Sequence, residues 1–506
     1  MAIQTFAAID IGSYELEMKI FEVSRGKGIR EIDDLVRRID LGTDTYSMGK
    51  ISYVHVDQVR RTLLEFRKIM ETYGVAEYKA YGTSAIREMQ NASIVLSGLE
   101  RDTGIHIDIL SNSEQRFLDY KSVASSRELF EEAMEKSTAI IDIGGGSIQI
   151  SLFNKDKLVS TQNLKLGVLR LHEEIHNLNA PTSKMQQLVE ELVEAQLVPF
   201  EKLYLKEKRI QNIVIIDDYL SDLVRRRGMD RLSTEEYEDL FEKVHIYNRQ
   251  NLAKILGVAE DNIPLLYINA IMVHSMERIM RSEKLFFPGV TLCDGMVYEY
   301  AEKKNILPPS HDFEGDIIAF ADNISKRYKG NMERSLTMES IALRIFEATR
   351  KIHGLGHREE LLLRIAVRLH DCGRYISFIN LAECSYNIIM ATEIIGLSHL
   401  EREIVANVVR YNHTPFVYYE QQEEASDLSA ESYLVIAKLT AILRIANGLD
   451  RSHKHKFQDI RVVVKDKKLM IYVHTDQDIT VETGMIDSRA DFFEEIFGYR
   501  PVIRRK

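Results

Sequence analysis

Two stretches of the chain repeat one pattern: AAIDIGSYELEMKIF, beginning at Ala7, and AIIDIGGGSIQISLF, beginning at Ala139. Asp10 pairs with Asp142 and Gly12 with Gly144. After each glycine turn the apolar residues stay in step, Leu16, Met18 and Ile20 against Ile148, Ile150 and Leu152. Apolar residues at every second position mark a strand, so each copy predicts a strand, a tight turn and a returning strand. Agreement of aspartate, glycine and strand register at a single offset predicts a duplicated α/β unit whose two Asp-Gly turns face each other across a cleft. The segments between the hairpins, VDQVRRTLLEFRKIMETYG, YGTSAIREMQN and IHIDILSNSEQRFLDYKSVASSRELF, alternate helix and strand and support the same class.

At 506 residues the chain exceeds one hydrophobic core, and at roughly 100–200 residues per domain it predicts three or four units. The paired prolines of ILPPSHDFEG end the α/β pattern, and a helical pattern runs from about Asp316 to Phe457 before strands return in DIRVVVKD and KLMIYVHT. The predicted division is therefore 1–130 and 131–310 as two α/β lobes, 311–457 as a helical domain, and 458–506 as a small α/β cap.

A formal charge of −11 excludes nonspecific attraction to DNA or to anionic lipid, so a polyanionic substrate needs a local basic or cationic site. Three cysteines without metal-ligand spacing point to a reducing, cytoplasmic setting. No leader pattern and no apolar run of about 20 residues is read, so no membrane partner is expected. The most apolar helix candidate, IPLLYINAIMVHSMERIM, carries Asn269, His274, Glu277 and Arg278 and reads as buried.

Gly144, Gly145 and Gly146 after a buried strand let backbone N–H groups approach an anion without interference from Cβ, and Ser147 adds a hydroxyl. The same turn could simply close a hairpin. Asp10 and Asp142 at the mouth of one cleft are hard oxygen ligands suited to Mg²⁺, or they cap their own turns. Arg87 in GTSAIRE has the planar fork that grips phosphate, although a lone arginine more often makes a surface ion pair. His413 and the tract RSHKHK read as a solvated loop.

The motifs AAIDIGS, YGTSAIRE, LSNSEQR, IIDIGGGS, LKLGVLRLHE and LHDCGRYIS occur in the order seen in the exopolyphosphatase/guanosine pentaphosphate phosphohydrolase (Ppx/GppA) family, which the chain resembles along nearly its whole length. The resemblance implies two ribonuclease-H-like lobes of the actin-like superfamily, followed by an α-helical HD-like domain and a small α+β cap. It implies Mg²⁺ or another divalent cation as cofactor. The implied substrate is polyphosphate or a phosphorylated guanosine nucleotide, and a homodimer follows by family resemblance alone. By the same resemblance Glu114 is the catalytic glutamate that activates water. Asp142 and Gly144 to Ser147 form the metal and phosphate loop, and Ser13 and Arg87 contact phosphate. The alternative for Glu114 is a helix N-terminal carboxylate after Ser111 and Ser113. His370 and Asp371 of HDCGR resemble the adjacent metal-binding pair of HD phosphohydrolases, with Thr337 near the place of a first histidine and Asn447 in RIANGLD where an aspartate is common.

The chain departs from the family pattern at Tyr14, at Gln149 in GGGSIQ, and at Asp217 and Asp218, which stand where a glycine-rich second phosphate loop is expected. CDGMVYE replaces the family's REG. Two carboxylates at the second loop repel phosphate unless a cation intervenes. Three readings follow: a phosphoanhydride hydrolase, a catalytically degenerate protein that binds a phosphate ligand such as guanosine tetraphosphate, and an ATP-dependent kinase or ATPase on the same two-lobe fold.

Overall fold

The computed structural model describes residues 3–178, 184–206, 208–246, 249–256, 260–308, 311–421, 428–457 and 460–505; Pro309 of the expected boundary and Gln458 at the expected start of the cap lie outside them. The chain forms two compact units, Met1–Asp312 and Phe313–Lys506.

The first unit contains two sheets. One comprises β1 (Gln4–Ile11), β2 (Glu15–Ser24), β3 (Gly28–Arg38), β4 (Glu77–Gly82) and β5 (Asp108–Ile109) in the order β3-β2-β1-β4-β5. The other comprises β6 (Ser137–Ile143), β7 (Ile148–Asn154), β8 (Lys157–Leu164), β9 (Asn212–Asp217), β10 (Arg231–Ser233) and β11 (Lys284–Phe286) in the order β10-β11-β9-β6-β7-β8. Each begins as an antiparallel meander whose first strand then pairs in parallel with a strand returning from a crossover. With β11 in the place of β5, the second sheet repeats the order of the first and adds β10 at its edge.

The two repeated turns close alike: the Gly12 N–H donates to Glu15 O at 3.0 Å, and the Gly144 N–H donates to Ser147 O at 3.0 Å. The strands leading into them are apolar at consecutive positions because both faces of the first sheet are covered. Ala7, Ile9 and Ile11 enter one core, while Phe6 and Ala8 enter another with Leu118, Leu292 and Met296 from the helices Asn112–Ser125 and Leu292–Lys303. That double coverage fixes where both helices lie and aims the ends of β1 and β6 into the space between the sheets.

The second unit is mainly helical from Phe313 to Leu449 and ends in a three-stranded sheet. Its strands β12 (Ile460–Lys465), β13 (Lys468–Val473) and β14 (Arg500–Arg505) lie in that order, and the helix Thr480–Phe497 crosses over between the parallel pair β13 and β14. The helix Ala430–Leu449 corrects one expectation: by length and composition it could cross a membrane, and 72% of its apolar window is buried inside the protein. The segment Ile263–Met280 is a buried helix, as its polar residues suggested. All three cysteines are unpaired.

Candidate active site

The ends of β1, β6 and β9 and the turns that follow them open on one cleft in the first unit. It is lined by Asp10, Ser13, Tyr14, Asp142, Gly144, Gly145, Ser147, Asp217 and Asp218, with Thr83 and Ser84 from the turn after β4. Gln115 and Asp119 line it from the helix Asn112–Ser125. Six of the predicted residues, Asp10, Ser13, Asp142, Gly144, Gly145 and Ser147, thus share one space. Glu114, Arg87 and Gly146 stand beside it.

The glycine turn is built to offer donors. Gly144 O accepts from Val168 N at 3.1 Å, and Gly145 O accepts from Leu169 N and Arg170 N at 3.0 Å each, so these carbonyls satisfy the first turn of the helix Val168–Asn177. A planar trans peptide sets its N–H opposite its C=O, which turns the Gly145 and Gly146 amides away from that helix. No acceptor meets the N–H groups of Gly145, Gly146 or Ser147 among the described residues. A Cβ on Gly167 would stand 2.2 Å from Gly145 O, so the loop and the helix approach this closely only because position 167 is glycine. Gly146 is fixed by its own neighbours: Arg170 Nε donates to its carbonyl at 2.9 Å, and a Cβ there would strike the hydroxyls of Tyr46 and Ser84.

Ser13 Oγ lies 2.7 Å from Tyr46 Oη, whose hydroxyl donates to Ser84 Oγ at 3.1 Å. Arg170 stacks over the Tyr46 ring at 4.3 Å and binds Glu88 at 2.8 Å, joining the helices Val168–Asn177 and Ser84–Glu88 at this edge. Arg87 has its Nη1 engaged within the protein. Its Nη1 donates to Leu110 O at 2.6 Å and contacts Gln115 Oε1 at 3.4 Å, and Gln115 Nε2 donates to Asp142 Oδ2 at 3.1 Å.

The cleft concentrates negative charge. Desolvation pushes Asp10 well above the ordinary carboxylate range, reinforced by Glu17 and Asp142. Burial followed by the neighbouring Asp142 does the same to Asp119. Asp142 is raised to about 6 by desolvation, against the lowering effect of its bonds to Asp119 and Gln115. Asp10 Oδ1 and Asp119 Oδ2 are buried without a hydrogen-bond partner, as are both side-chain polar atoms of Gln149. Crowded, under-satisfied carboxylates that burial makes weaker acids fit a hard divalent cation, which would neutralise them.

Glu114 closes a capping box: Ser111 Oγ accepts from Glu114 N at 3.3 Å, and Glu114 Oε2 accepts from Ser111 N at 3.1 Å and Ser111 Oγ at 2.6 Å. Asp217 is likewise committed. It accepts from Leu220 N at 2.7 Å, Ser221 N at 2.9 Å, Ser221 Oγ at 2.5 Å and Asn269 Nδ2 at 2.9 Å, so the helix Leu220–Arg226 is capped by its own carboxylate. In CDGMVYE, Asp294 completes a capping box with Thr291 and pairs with Lys19 at 2.9 Å.

Sequence reading missed Tyr46, Asp119 and Gln115. The last two stand four apart on a helix that the LSNSEQR motif opens, and that spacing places them on one face. Tyr46 carried no local signal.

In the second unit, His370 and Asp371 lie in a buried polar network. His370 Nδ1 donates to Val367 O at 2.8 Å, and its Nε2 accepts from Arg334 Nη1 at 2.5 Å. Arg334 Nη2 donates to Asn447 Oδ1 at 2.7 Å, and Nε lies 3.5 Å from Asp450 Oδ2. The guanidinium thus takes up His370 and Asn447, two of the side chains a metal would claim. Thr337 is bonded to His455 Nδ1 at 3.0 Å, and Lys456 pairs with fully buried Glu482 at 2.8 Å. Within the RSHKHK tract, Arg451, His453 and Lys454 are exposed as a solvated loop would have them, while His455 and Lys456 are held by specific contacts.

Comparison with known proteins places this geometry. The Ppx/GppA phosphatase family matches residues 19–304, and domain III of Ppx/GppA phosphatases matches residues 319–489. A guanosine-5'-triphosphate,3'-diphosphate pyrophosphatase of Photobacterium profundum is 20% identical over 448 residues, 87% of this chain and 86% of the relative. Exopolyphosphatase 1 of Mycobacterium tuberculosis is 22% identical over 299 residues, 57% of this chain and 86% of the relative. Among solved structures, an exopolyphosphatase from Cytophaga hutchinsonii superposes with a TM-score of 0.52 at 17% identity, covering 59% of this chain and 98% of the other. The Aquifex aeolicus member of the family gives 0.50 at 21% identity, covering 60% and 99%. With more than half of its length matched and the duplicated Asp-Gly turns meeting in one cleft, the chain belongs to the Ppx/GppA phosphatase family.

Proposed function

We propose that the chain is a phosphoanhydride hydrolase that releases the terminal phosphate of inorganic polyphosphate or guanosine pentaphosphate with the help of Mg²⁺ or another divalent cation. The observation that carries this reading is the row of three amides, Gly145 to Ser147, left without acceptors beside Asp142 in a cleft of carboxylates. Asp142 and Asp10 would hold the cation, which when bound supplies charge neutralisation at the phosphate oxygens. The amides and the Ser147 hydroxyl receive equatorial oxygens of the terminal phosphate, and donors fixed before the reaction stabilise the charge that grows on them. Ser13 is oriented by Tyr46 for the same group. Glu114 takes the proton from the attacking water; the capping box occupies Oε2 and holds the side chain in one orientation, leaving Oε1 as the base. Arg87 acts through Gln115 to keep Asp142 in place.

The matching strand orders support reading the two sheets as ribonuclease-H-like lobes of the actin-like superfamily, with 311–457 as an HD-like helical domain and 458–506 as the cap. The Arg334 contacts favour a metal-free HD-like domain. Three unpaired cysteines suit the cytoplasm.

The family match favours the hydrolase; a catalytically degenerate protein would instead bind one phosphate through the glycine loop and not turn it over. Phosphate release from long-chain polyphosphate with Mg²⁺, measured for wild type and E114Q, separates the two. Release that depends on Glu114 establishes the hydrolase. Ligand-induced thermal stabilisation without release, over several chain lengths, establishes the binder.

A further inference from the structure

We propose a second metal site, outside the cleft, in which Glu238, His274 and Glu277 bind one Zn²⁺-type divalent cation. Glu238 belongs to the helix Thr234–Ile246, and His274 and Glu277 belong to the helix Ile263–Met280. Three residues apart, His274 and Glu277 fall on one helical face, the spacing by which helical bundles present a histidine and a carboxylate to a common ion. One ligand atom from each of the three side chains lies within 4.8 Å of the other two.

The contacts suit ligands better than hydrogen-bond partners. His274 Nδ1 lies 3.2 Å from Glu238 Oε1, yet it is buried and makes no hydrogen bond. Two ligands about 2.1 Å from a tetrahedral ion stand about 3.4 Å apart, close to that separation. Phe241 stacks on the imidazole at 4.2 Å with the planes 12° apart, which fixes the ring. Glu277 is 6% exposed, and no donor reaches its carboxylate among the described residues. The adjacent Arg278 is paired with Glu194. A mostly buried glutamate and a second carboxylate within reach of an imidazole nitrogen that is itself buried without a hydrogen bond form an arrangement that a cation completes.

One imidazole and two carboxylates select a borderline ion such as Zn²⁺ over Mg²⁺, which the all-oxygen cleft favours. Bound there, the ion staples the two helices. The longer of them also carries Asn269, whose amide holds Asp217 in the cleft.

The test uses the full chain, stripped of metal and dialysed against Zn²⁺ with excess Mg²⁺ to fill the cleft, followed by elemental analysis of the bound zinc and a thermal melt. Wild type is expected to retain one equivalent and to melt higher with zinc. H274A and E238Q are each expected to lose at least tenfold in affinity and to lose the thermal shift, while D142N keeps both. Co²⁺ in place of Zn²⁺ should give visible absorption bands that vanish in H274A. The site is refuted if wild type retains no zinc, if H274A and E238Q retain it like wild type, or if D142N abolishes it.

Discussion

At Glu114 the capping box and the proposed base fall on one carboxylate, and glutamine separates them. A capping box accepts Glu or Gln, so E114Q keeps the cap while removing the proton acceptor. Its phosphate release is expected to fall by about 10²- to 10⁴-fold, the usual worth of a general base, with little change in melting temperature. E114A should lose activity to the same degree and about 1 kcal/mol of stability as well. Undiminished release in E114Q would remove Glu114 from the mechanism. Asp142 gives a pH signature of its own. Its carboxyl titrates at about 6 in the folded protein and at about 4 when unfolded, so the stability it contributes is full below about pH 4 and is lost as pH rises through about 6. Thermal melts of D142N should therefore be flatter than wild type between pH 4 and 7, and added divalent cation should stabilise wild type above pH 6 but not near pH 4. Asp10 and Asp142 were legible in the sequence because a strand end before a glycine turn fixes where a carboxylate points. Asp119 and Tyr46 reach the same cleft through tertiary packing, which no local pattern encodes.

Among the elements, the short helix Leu220–Arg226 depends on Asp217, which satisfies two of its first N–H groups. The sequence presented Asp217 and Asp218 as carboxylates that repel phosphate unless a cation intervenes; the cap role stayed hidden because it requires the turn geometry after β9. D217N retains one acceptor oxygen but no charge for the helix dipole, and a loss of about 1 kcal/mol in urea unfolding is expected. An unchanged midpoint would mean that Asn269 and Ser221 hold the turn without it. The helix Met332–His353 carries a comparable burden in Arg334, buried to 1% exposure between His370, Asn447 and Asp450. The HDCGR motif suggested a metal because its two ligand types are adjacent; the arginine that engages His370 lies on a different helix, beyond any local pattern. Removing it leaves His370 and Asn447 without their donor and buried Asp450 with only His455 as an ion-pair partner among the described residues, and R334M is expected to cost about 3–5 kcal/mol. Mn²⁺ should not restore that loss, since Asn447 supplies an amide where a metal site needs charge. Full rescue by Mn²⁺ would show instead that an ion can replace the guanidinium.

For the whole molecule, the duplicated hairpin encoded the architecture of the first unit more completely than any other feature. Strand order, turn closure and the shared cleft all follow from one repeated run of Asp and Gly with alternating apolar residues. The second unit had no such repeat, and its three-stranded end was foreshadowed only by a return of strand patterning. The cleft, its glycine loop and its carboxylates belong wholly to Met1–Asp312, and the three apolar cores that hold them are drawn from that unit alone. A unit with its own cores satisfies the physical requirement for folding independently. Residues 1–312 expressed alone are therefore expected to unfold in one cooperative transition and to release phosphate from tripolyphosphate in a Glu114-dependent manner. In the full chain, R334M should lower the transition of the second unit and leave Glu114-dependent release from tripolyphosphate within about twofold of wild type, because unfolding of one domain need not carry its neighbour. If the truncated protein is folded but inactive, residues beyond 312 contribute to catalysis, and the cleft as described is an incomplete active site. If it fails to fold, the two compact units form one cooperative body.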